Sequence, residues 1–579
     1  MRLETEAINR QLLAFAEIKP APGRWKFALH VLTIVIVAIT LISVLLGPSM
    51  GLVGITGAFL GFIAQSRPLR SRIVILACLN VTYIVCVAIG ALVGSEPVLL
   101  TIVLALIALV TVLGYNSLVA EPPGAMFLIM GPAIASYLPT VGIPAGKVIL
   151  VCAIGCVSAS LTSLLLQLIT RHGHPEQEAL DTAETAVRAY LDADRATIPR
   201  HQLARLRDQA FISVFGASMI LEDAVGRQPR LRQWRRMNAT LRRMHLAIIQ
   251  QVVKVHLPGR QVVVTGVEQR RYLGRPDASY LLRWGLSRAS LPWLAARRMA
   301  AAVLLTCVVS YGCHIGHPYW AAMTAALVMS VTADRLALTR RALHRITGTV
   351  IGIAVFFAIH ATHPSGFVLL VIALVLIFFI QLLAVRNYAL AVIFVTPMAL
   401  LISSAGNPYK PVGEIAGERV LETLIGGACS VLVIWVAGRR APIALVRRQF
   451  RRSLRSLERL LLLIADGEQS TERGYAARRD LSFEQVQCGQ ILQLAQTDLP
   501  QDLADWNLLE SSLNEASWVV LAACWTADPP HAIDAEKMAG VLARMIAALP
   551  PVGTQMVDAR IIAGGLGRML DIGKQLNTA

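Results

Sequence analysis

The chain has 579 residues, 55% of them hydrophobic and only 16% charged, well below the quarter or so of charged residues usual in a soluble protein. A mean hydropathy of +0.59 points to a polytopic membrane protein instead. The formal net charge of +18 does not argue for nucleic acid as a partner. The arginines crowd between and after the apolar runs, where the positive-inside bias and an anionic leaflet account for them, and no nucleic-acid module accompanies them.

A mixed segment, 1–24, comes first. Apolar runs then follow at 25–46, 49–65, 72–94, 97–115, 124–142 and 146–168, each near the roughly 20 residues that a helix needs to cross the hydrocarbon core. The first run is too long for the core of a signal peptide and leads straight into a second, so no signal peptide is expected. After a polar segment a second set runs at 297–315, 318–334, 346–363, 366–385, 387–404 and 415–436. The expected domains are therefore a cytoplasmic N-terminal segment (1–24), a first six-helix transmembrane repeat (25–168) and a cytoplasmic helical domain (169–296). A second six-helix repeat (297–437) and a C-terminal cytoplasmic helical domain (438–579) complete the chain. In IALVRRQFRRSLRSLERLLLLIA, Ile443, Val446, Phe450, Leu454, Leu457 and Leu461 recur every three or four residues with arginines opposite, the mark of an amphipathic helix. QVVVTG at 261–266 is the one strand-like stretch. The fold expected is an all-α polytopic membrane protein of about twelve transmembrane helices, arranged as two parallel six-helix repeats with two cytoplasmic helical segments.

The arginines set the orientation. Lys19, Arg24 and Lys26 precede the first run, and Arg67, Arg70 and Arg72 follow the second. Arg335, Arg340, Arg341 and Arg345 follow the eighth, and Arg386 follows the tenth; all fall on one side, the cytoplasm, with both termini. Lys147 and Lys410 are the minority on the other face. The two sets also match in sequence. Gly47-Pro48 and His317-Pro318 lie 270 residues apart, Ala145-Gly146 and Ala416-Gly417 271, and Ile154-Gly155 and Ile425-Gly426 again 271. Gly131-Pro132 and Thr396-Pro397 hold equivalent places. Several matches at a nearly constant offset indicate duplication, and six runs per copy make the repeat parallel.

Polar groups within the second set mark a candidate pathway. Arg341, Arg345, Gly348 and Gly352 are spaced four, three and four, one face of a helix. The glycines permit close helix packing. The arginines either collect an anion at the cytoplasmic mouth or snorkel to headgroups as topology markers. His317, Tyr319 and Trp320 read either as an interfacial aromatic belt or as a lining for an aromatic substrate. Glu418, Arg419 and Glu422 are ionisable groups in the last run, where such groups are costly. Glu422 is a candidate for proton coupling, or it simply neutralises Arg419 three residues away. Lys147, Val151 and Cys152 stand at the matching places of the first copy. Asn387, Tyr388, Thr396 and Pro397, with Gln381 before them, add hydrogen-bonding groups. No enzymatic signature is present: GRMLDIGKQ at 567–575 lacks phosphate-loop spacing, and HExxH and GxSxG are absent. The nine cysteines are scattered without a CxxC pair, and HGH at 172–174 lacks further ligands, so neither a metal nor a cofactor is expected.

HPYWAAMTAALVMS, TRRALHRITGTVIG, NYALAVIFVTPMALL and GERVLETLIGG resemble the fusaric acid resistance protein-like family, which includes aromatic acid exporters. The resemblance is strongest over 297–437 and rests on Tyr319-Trp320, Arg341, Arg345, Gly348, Gly352, Arg419 and Gly426 taken together. The first copy departs from it, with GPSMGL for HPYWAA and with Asn80 and Ile84 where glycines would stand. The resemblance implies an inner-membrane exporter of small, often aromatic, carboxylic acids, working in some members with a periplasmic adaptor of the membrane-fusion type. Partners on this reading are the bilayer, the organic anion, that adaptor and a second copy of the chain. Substrate-pathway candidates are Tyr319, Trp320, Arg341, Arg345, Asn387, Tyr388, Thr396 and Arg419. Two rival readings stay open: a passive organic-anion channel of the same fold, and an envelope scaffold that transports nothing.

Overall fold

The computed structural model of the chain describes residues 15–574 apart from 95, 120, 171–174, 226–231, 264–273, 316–317, 331–334, 365, 407–410, 437–439 and 527–531. His317, Lys410, the HGH stretch and the second half of QVVVTG lie outside the described residues. Among the described residues all regular structure is helical, and Val262 and Thr526 form an isolated antiparallel bridge.

Helices coincide with all twelve apolar runs. The first set is α1 (Arg24–Leu46), α2 (Pro48–Ala58, continued by a 3-10 turn at Phe59–Phe62), α3 (Leu69–Val93), α4 (Pro97–Leu118), α5 (Met126–Tyr137) and α6 (Ala145–Thr170). The polar segment forms α7 (Pro175–Leu191), α8 (Arg200–Val225), α9 (Arg232–His256) and α10 (Ala278–Gly285). The second set is α11 (Leu291–Gly312), α12 (Pro318–Met329), α13 (Arg335–His360), α14 (Gly366–Leu383), α15 (Tyr388–Gly406) and α16 (Val412–Val436). The remainder forms α17 (Ala441–Ala465), α18 (Glu472–Asp498), α19 (Trp506–Ala523), α20 (Ala535–Ala548) and α21 (Ala559–Lys574).

Among the described residues, seven helices, α1, α3, α4, α6, α11, α13 and α16, are long and apolar enough to cross a membrane. The chain is an all-α polytopic membrane protein. Its apolar faces require lipid: Val44, Leu92, Val98 and Ile169 are 73–78% exposed. Each such side chain left in water would forgo about 1.5–3 kcal/mol. The other five carry shorter apolar stretches of 10–17 residues. Four of these five are the second and fifth helices of each set, α2 with α5 and α12 with α15. Proline accounts for part of this pattern. Pro48 and Pro318 open α2 and α12, where a missing N–H costs nothing, while Pro132 and Pro397 sit inside α5 and α15 and remove a ladder bond.

By its contacts the chain forms two compact units. One comprises Met1–Ala64, Ile73–Thr170 and Pro292–Arg439; the other comprises Gln65–Arg72, Arg171–Leu291 and Arg440–Ala579. In the first unit, the glycines that the repeat aligns do the same work. A Cβ on Gly155 would lie 2.6 Å from the Gly54 carbonyl oxygen, and one on Gly426 would lie 2.7 Å from that of Ala321. Each glycine thus lets the sixth helix of its set press against the second. The sets also meet reciprocally, α5 against α12 and α2 against α15. Tyr137 stacks on Tyr319 at that first seam, with ring centroids 4.9 Å apart.

The second unit is held by buried and partly buried ion pairs. Arg207 bridges Asp208 and Glu515, and the Trp518 indole donates to Asp208. Glu484, fully buried, accepts from Gln449, Arg452 and Tyr280. The loop Gln65–Arg72, between α2 and α3, belongs to this unit: Arg67 pairs with Asp223 at 2.5 Å, and Arg275 holds the same carboxylate at 3.1 Å.

Candidate functional site

α12 is short and its side chains are almost wholly buried; Trp320, Ala321, Ala322, Thr324, Ala325, Ala326 and Val328 are each 2% exposed or less. An apolar helix buried on all sides faces protein rather than lipid. Short or proline-interrupted segments at corresponding places of two repeats are also where transporters build their sites.

The C-terminus of α12 leaves carbonyls without partners within the helix. Arg341 of α13 satisfies one of them, its Nε donating to the Leu327 carbonyl at 2.8 Å, and its Nη2 donates to the Ser330 hydroxyl at 3.3 Å. Its guanidinium lies 3.9 Å from the centre of the Tyr388 ring. Arg341 is thus a helix cap as well as a charge. It sits within α13 because that helix begins at Arg335, eleven residues before the expected start at 346. Arginine lowers hydropathy but favours helix, so composition ends the apolar run while the backbone continues.

One turn further along, Arg345 is 1% exposed, as is Arg419 on α16. The Nε and Nη1 groups of both find no hydrogen-bond partner among the described residues. Arg419 lies over the Trp320 indole, 4.9 Å from its centre. It is also within electrostatic range of Arg345, Glu422, Tyr319 and Tyr388. Glu422 is fully buried. The hydroxyls of Thr324, Thr423 and Tyr388 are likewise buried without a partner among the described residues. Four helices, α12, α13, α15 and α16, therefore bring two guanidiniums, an indole, hydroxyls and one carboxylate into one interior cluster.

Tyr319 and Trp320 are 5% and 2% exposed, which differs from an interfacial belt, whose rings would face lipid. Gly348 and Gly352 set the spacing of α13 on α15. A Cβ at Gly348 would lie 2.6 Å from the Ala389 carbonyl oxygen, and one at Gly352 would lie 2.8 Å from that of Ile393. Thr396 is fully buried, donating to the Val392 carbonyl and, at 3.5 Å, to Thr349.

Asn387 has a different setting. Its side-chain oxygen accepts from the Ala389 amide at 2.9 Å, capping α15, and its amide donates to the Phe15 and Glu17 carbonyls. His344 also contacts the Phe15 carbonyl, at 3.0 Å, so residues 15–17 lie across α13 and α15.

Thr324, Thr349 and Thr423 were not among the candidate residues in the sequence. Each stands four positions after a chosen one, Trp320, Arg345 or Arg419, and that i,i+4 recurrence is the signal that would have found them. In the first copy the positions 271 before Arg419 and Glu422 are Val148 and Val151, both fully buried, so the charged cluster has no counterpart there.

Comparison with known proteins gives matches over part of the chain. Over 191 residues it is 29% identical to the "Uncharacterized membrane protein YvaC" of Bacillus subtilis (strain 168), the match covering 32% of this chain and 30% of that protein. The chain thus spans less than a third of that relative's length. No solved structure matches. Residues 303–433, which hold every member of the interior cluster, match the family described as fusaric acid resistance protein-like.

Proposed function

We propose that the chain is an exporter of small organic, chiefly aromatic, carboxylic acids in a bacterial inner membrane, with both termini in the cytoplasm. One observation carries this reading: buried guanidinium and hydroxyl donors of Arg345, Arg419, Thr324, Thr423 and Tyr388 lacking acceptors among the described residues. Burying a charge without full compensation costs several kcal/mol. Two guanidiniums beside one carboxylate leave a net positive charge, which a monoanion offsets. A carboxylate matches the guanidinium fork, and the Trp320 and Tyr319 rings offer an aromatic body its packing surface.

Energetics favour export without ATP. An inside-negative membrane potential drives a monoanion outward by about 2.3 kcal/mol per 100 mV. Glu422 is the proposed site of proton coupling, and its electrostatic sign is defined: protonation removes a negative charge beside Arg419 and strengthens anion binding, the proton staying on the protein while the potential acts on the anion. A periplasmic adaptor and a second copy of the chain rest on the family resemblance alone.

The test is uptake of labelled 4-hydroxybenzoate into energised inverted vesicles. Arg345→Gln combined with Arg419→Gln is expected to bring uptake to background while the protein remains in the membrane. Uptake unchanged in that variant sinks the proposal. Bilayer currents reversing at the anion's Nernst potential, without a pH effect, would assign a passive channel instead.

A further inference from the structure

α17 carries six arginines and one acidic residue, Glu458. Three of the arginines are engaged within the second unit. Arg447 donates to the carbonyls of Pro550, Pro551, Gly553 and Gln555 at 2.7–3.1 Å. Arg452 pairs with Glu484 at 2.8 Å, and one nitrogen of Arg451 holds the Leu549 carbonyl at 2.6 Å. Arg459 lies within electrostatic range of Asp480, and Arg448 and Arg455 remain. With Arg451 they are spaced three and four, one face of the helix.

Folding alone gives no reason for that face. Like charges one turn apart destabilise a helix by a few tenths of a kcal/mol each. Basic residues in its first turns also oppose the helix dipole. Burial, and then repulsion from Arg452, Arg455 and Arg451, holds the Arg448 guanidinium below its ordinary range. Its Nε finds no hydrogen-bond partner among the described residues. Arg455 is exposed.

Sequence distance identifies the counter-charge. Four residues separate Val436, the last of α16, from Ala441, a tether of about 17 Å at most. The start of this basic helix therefore stays near the leaflet at which the last apolar helix ends. Phe450, the aromatic ring of α17, is 3% exposed, so the basic face offers no ring on which a single-stranded nucleic acid could stack.

We propose that Arg448, Arg451 and Arg455 form a binding face for the phosphodiester headgroups of anionic phospholipids. Each arginine at such a surface contributes about 1 kcal/mol, an attraction that salt screens.

The test uses the purified full chain in neutral detergent, following its thermal midpoint as lipid is added. Phosphatidylglycerol is expected to raise the midpoint, with phosphatidylcholine and inorganic phosphate leaving it unchanged, and 0.5 M salt is expected to erase the rise. Arg448→Gln with Arg455→Gln should lose more than half of the rise while matching the wild-type midpoint in phosphatidylcholine. The Lys double variant should keep most of the rise, which separates charge from packing if the Gln variant folds poorly. An undiminished rise in the Gln variant overturns the proposal. So does an equal response to inorganic phosphate, or tighter binding of single-stranded oligonucleotide than of phosphatidylglycerol vesicles.

Discussion

Arg419 rests its guanidinium over the indole of Trp320, 4.9 Å from the ring centre, with both side chains sealed inside the first unit. A desolvated contact of this kind is worth about 2 kcal/mol, and it positions the cation without consuming its donors. Trp320→Leu should therefore weaken 4-hydroxybenzoate binding by about tenfold or more, measured by scintillation proximity on purified protein. Affinity unchanged by the loss of the ring would show that Trp320 only packs.

Arg345 and Arg419 repel one another in a medium that screens charge poorly. Arg345→Gln should accordingly leave the thermal midpoint unchanged or raise it, while anion affinity falls at least about tenfold, or 1.4 kcal/mol. A structural arginine would behave in the opposite way, with a lowered midpoint and intact binding.

Replacing Glu422 with Gln mimics its protonated form permanently. Anion affinity at pH 8 is expected to rise, and the dependence of affinity on pH between 5 and 8 to flatten. Isothermal titration at several pH values reads both. A pH profile that survives the substitution would move proton coupling elsewhere.

The glycine face of α13 leaves no room for a side chain against α15. Gly348→Val should cost about 1–3 kcal/mol through overpacking, and Gly146→Val, where a Cβ meets nothing within 4 Å, should cost far less. Thermal midpoints of the two variants in one detergent provide the comparison.

His245 lies in α9 of the second unit, packed against Phe211 and Trp525. Burial, and then the nearby Arg478 charge, lowers its pKa to about 4, so the folded protein keeps it neutral. An unfolded histidine titrates near 6.5, so the unfolded state takes up the proton first. Stability is therefore complete above about pH 6.5, declines as pH falls, and levels off below about 4. The loss between pH 7 and pH 5 is about 2 kcal/mol. His245→Leu should remove that part of the pH dependence of thermal unfolding; an unchanged slope would acquit His245.

Much of the membrane architecture was legible because apolar runs and proline positions act locally. All twelve runs became helices, and the duplication visible in Gly155 and Gly426 reappears as the same close approach to a second helix. Helix length was less legible. A window of apolar residues does not register that α12 stops at Met329, where Arg341 arrives to cap it. Nor does hydropathy separate an arginine that snorkels from one that turns inward. Arg345 and Arg341 look alike in sequence, yet one caps a helix and the other lies buried with donors unmet. Asn387 read as a pathway polar group, whereas its amide reaches a carbonyl 372 residues away, a relation that no local pattern encodes.

The loop Gln65–Arg72 is synthesised between two apolar helices, yet it belongs to a unit whose last piece is the end of the chain. Arg67 can meet Asp223 only after α8 has left the ribosome, and the unit around that pair also needs Glu484 and Glu515. Assembly therefore runs counter to the order of synthesis: one of the first membrane loops is among the last parts to find its setting. A C-terminal truncation should thus disturb the setting of the loop Gln65–Arg72, even though it removes none of that loop's residues.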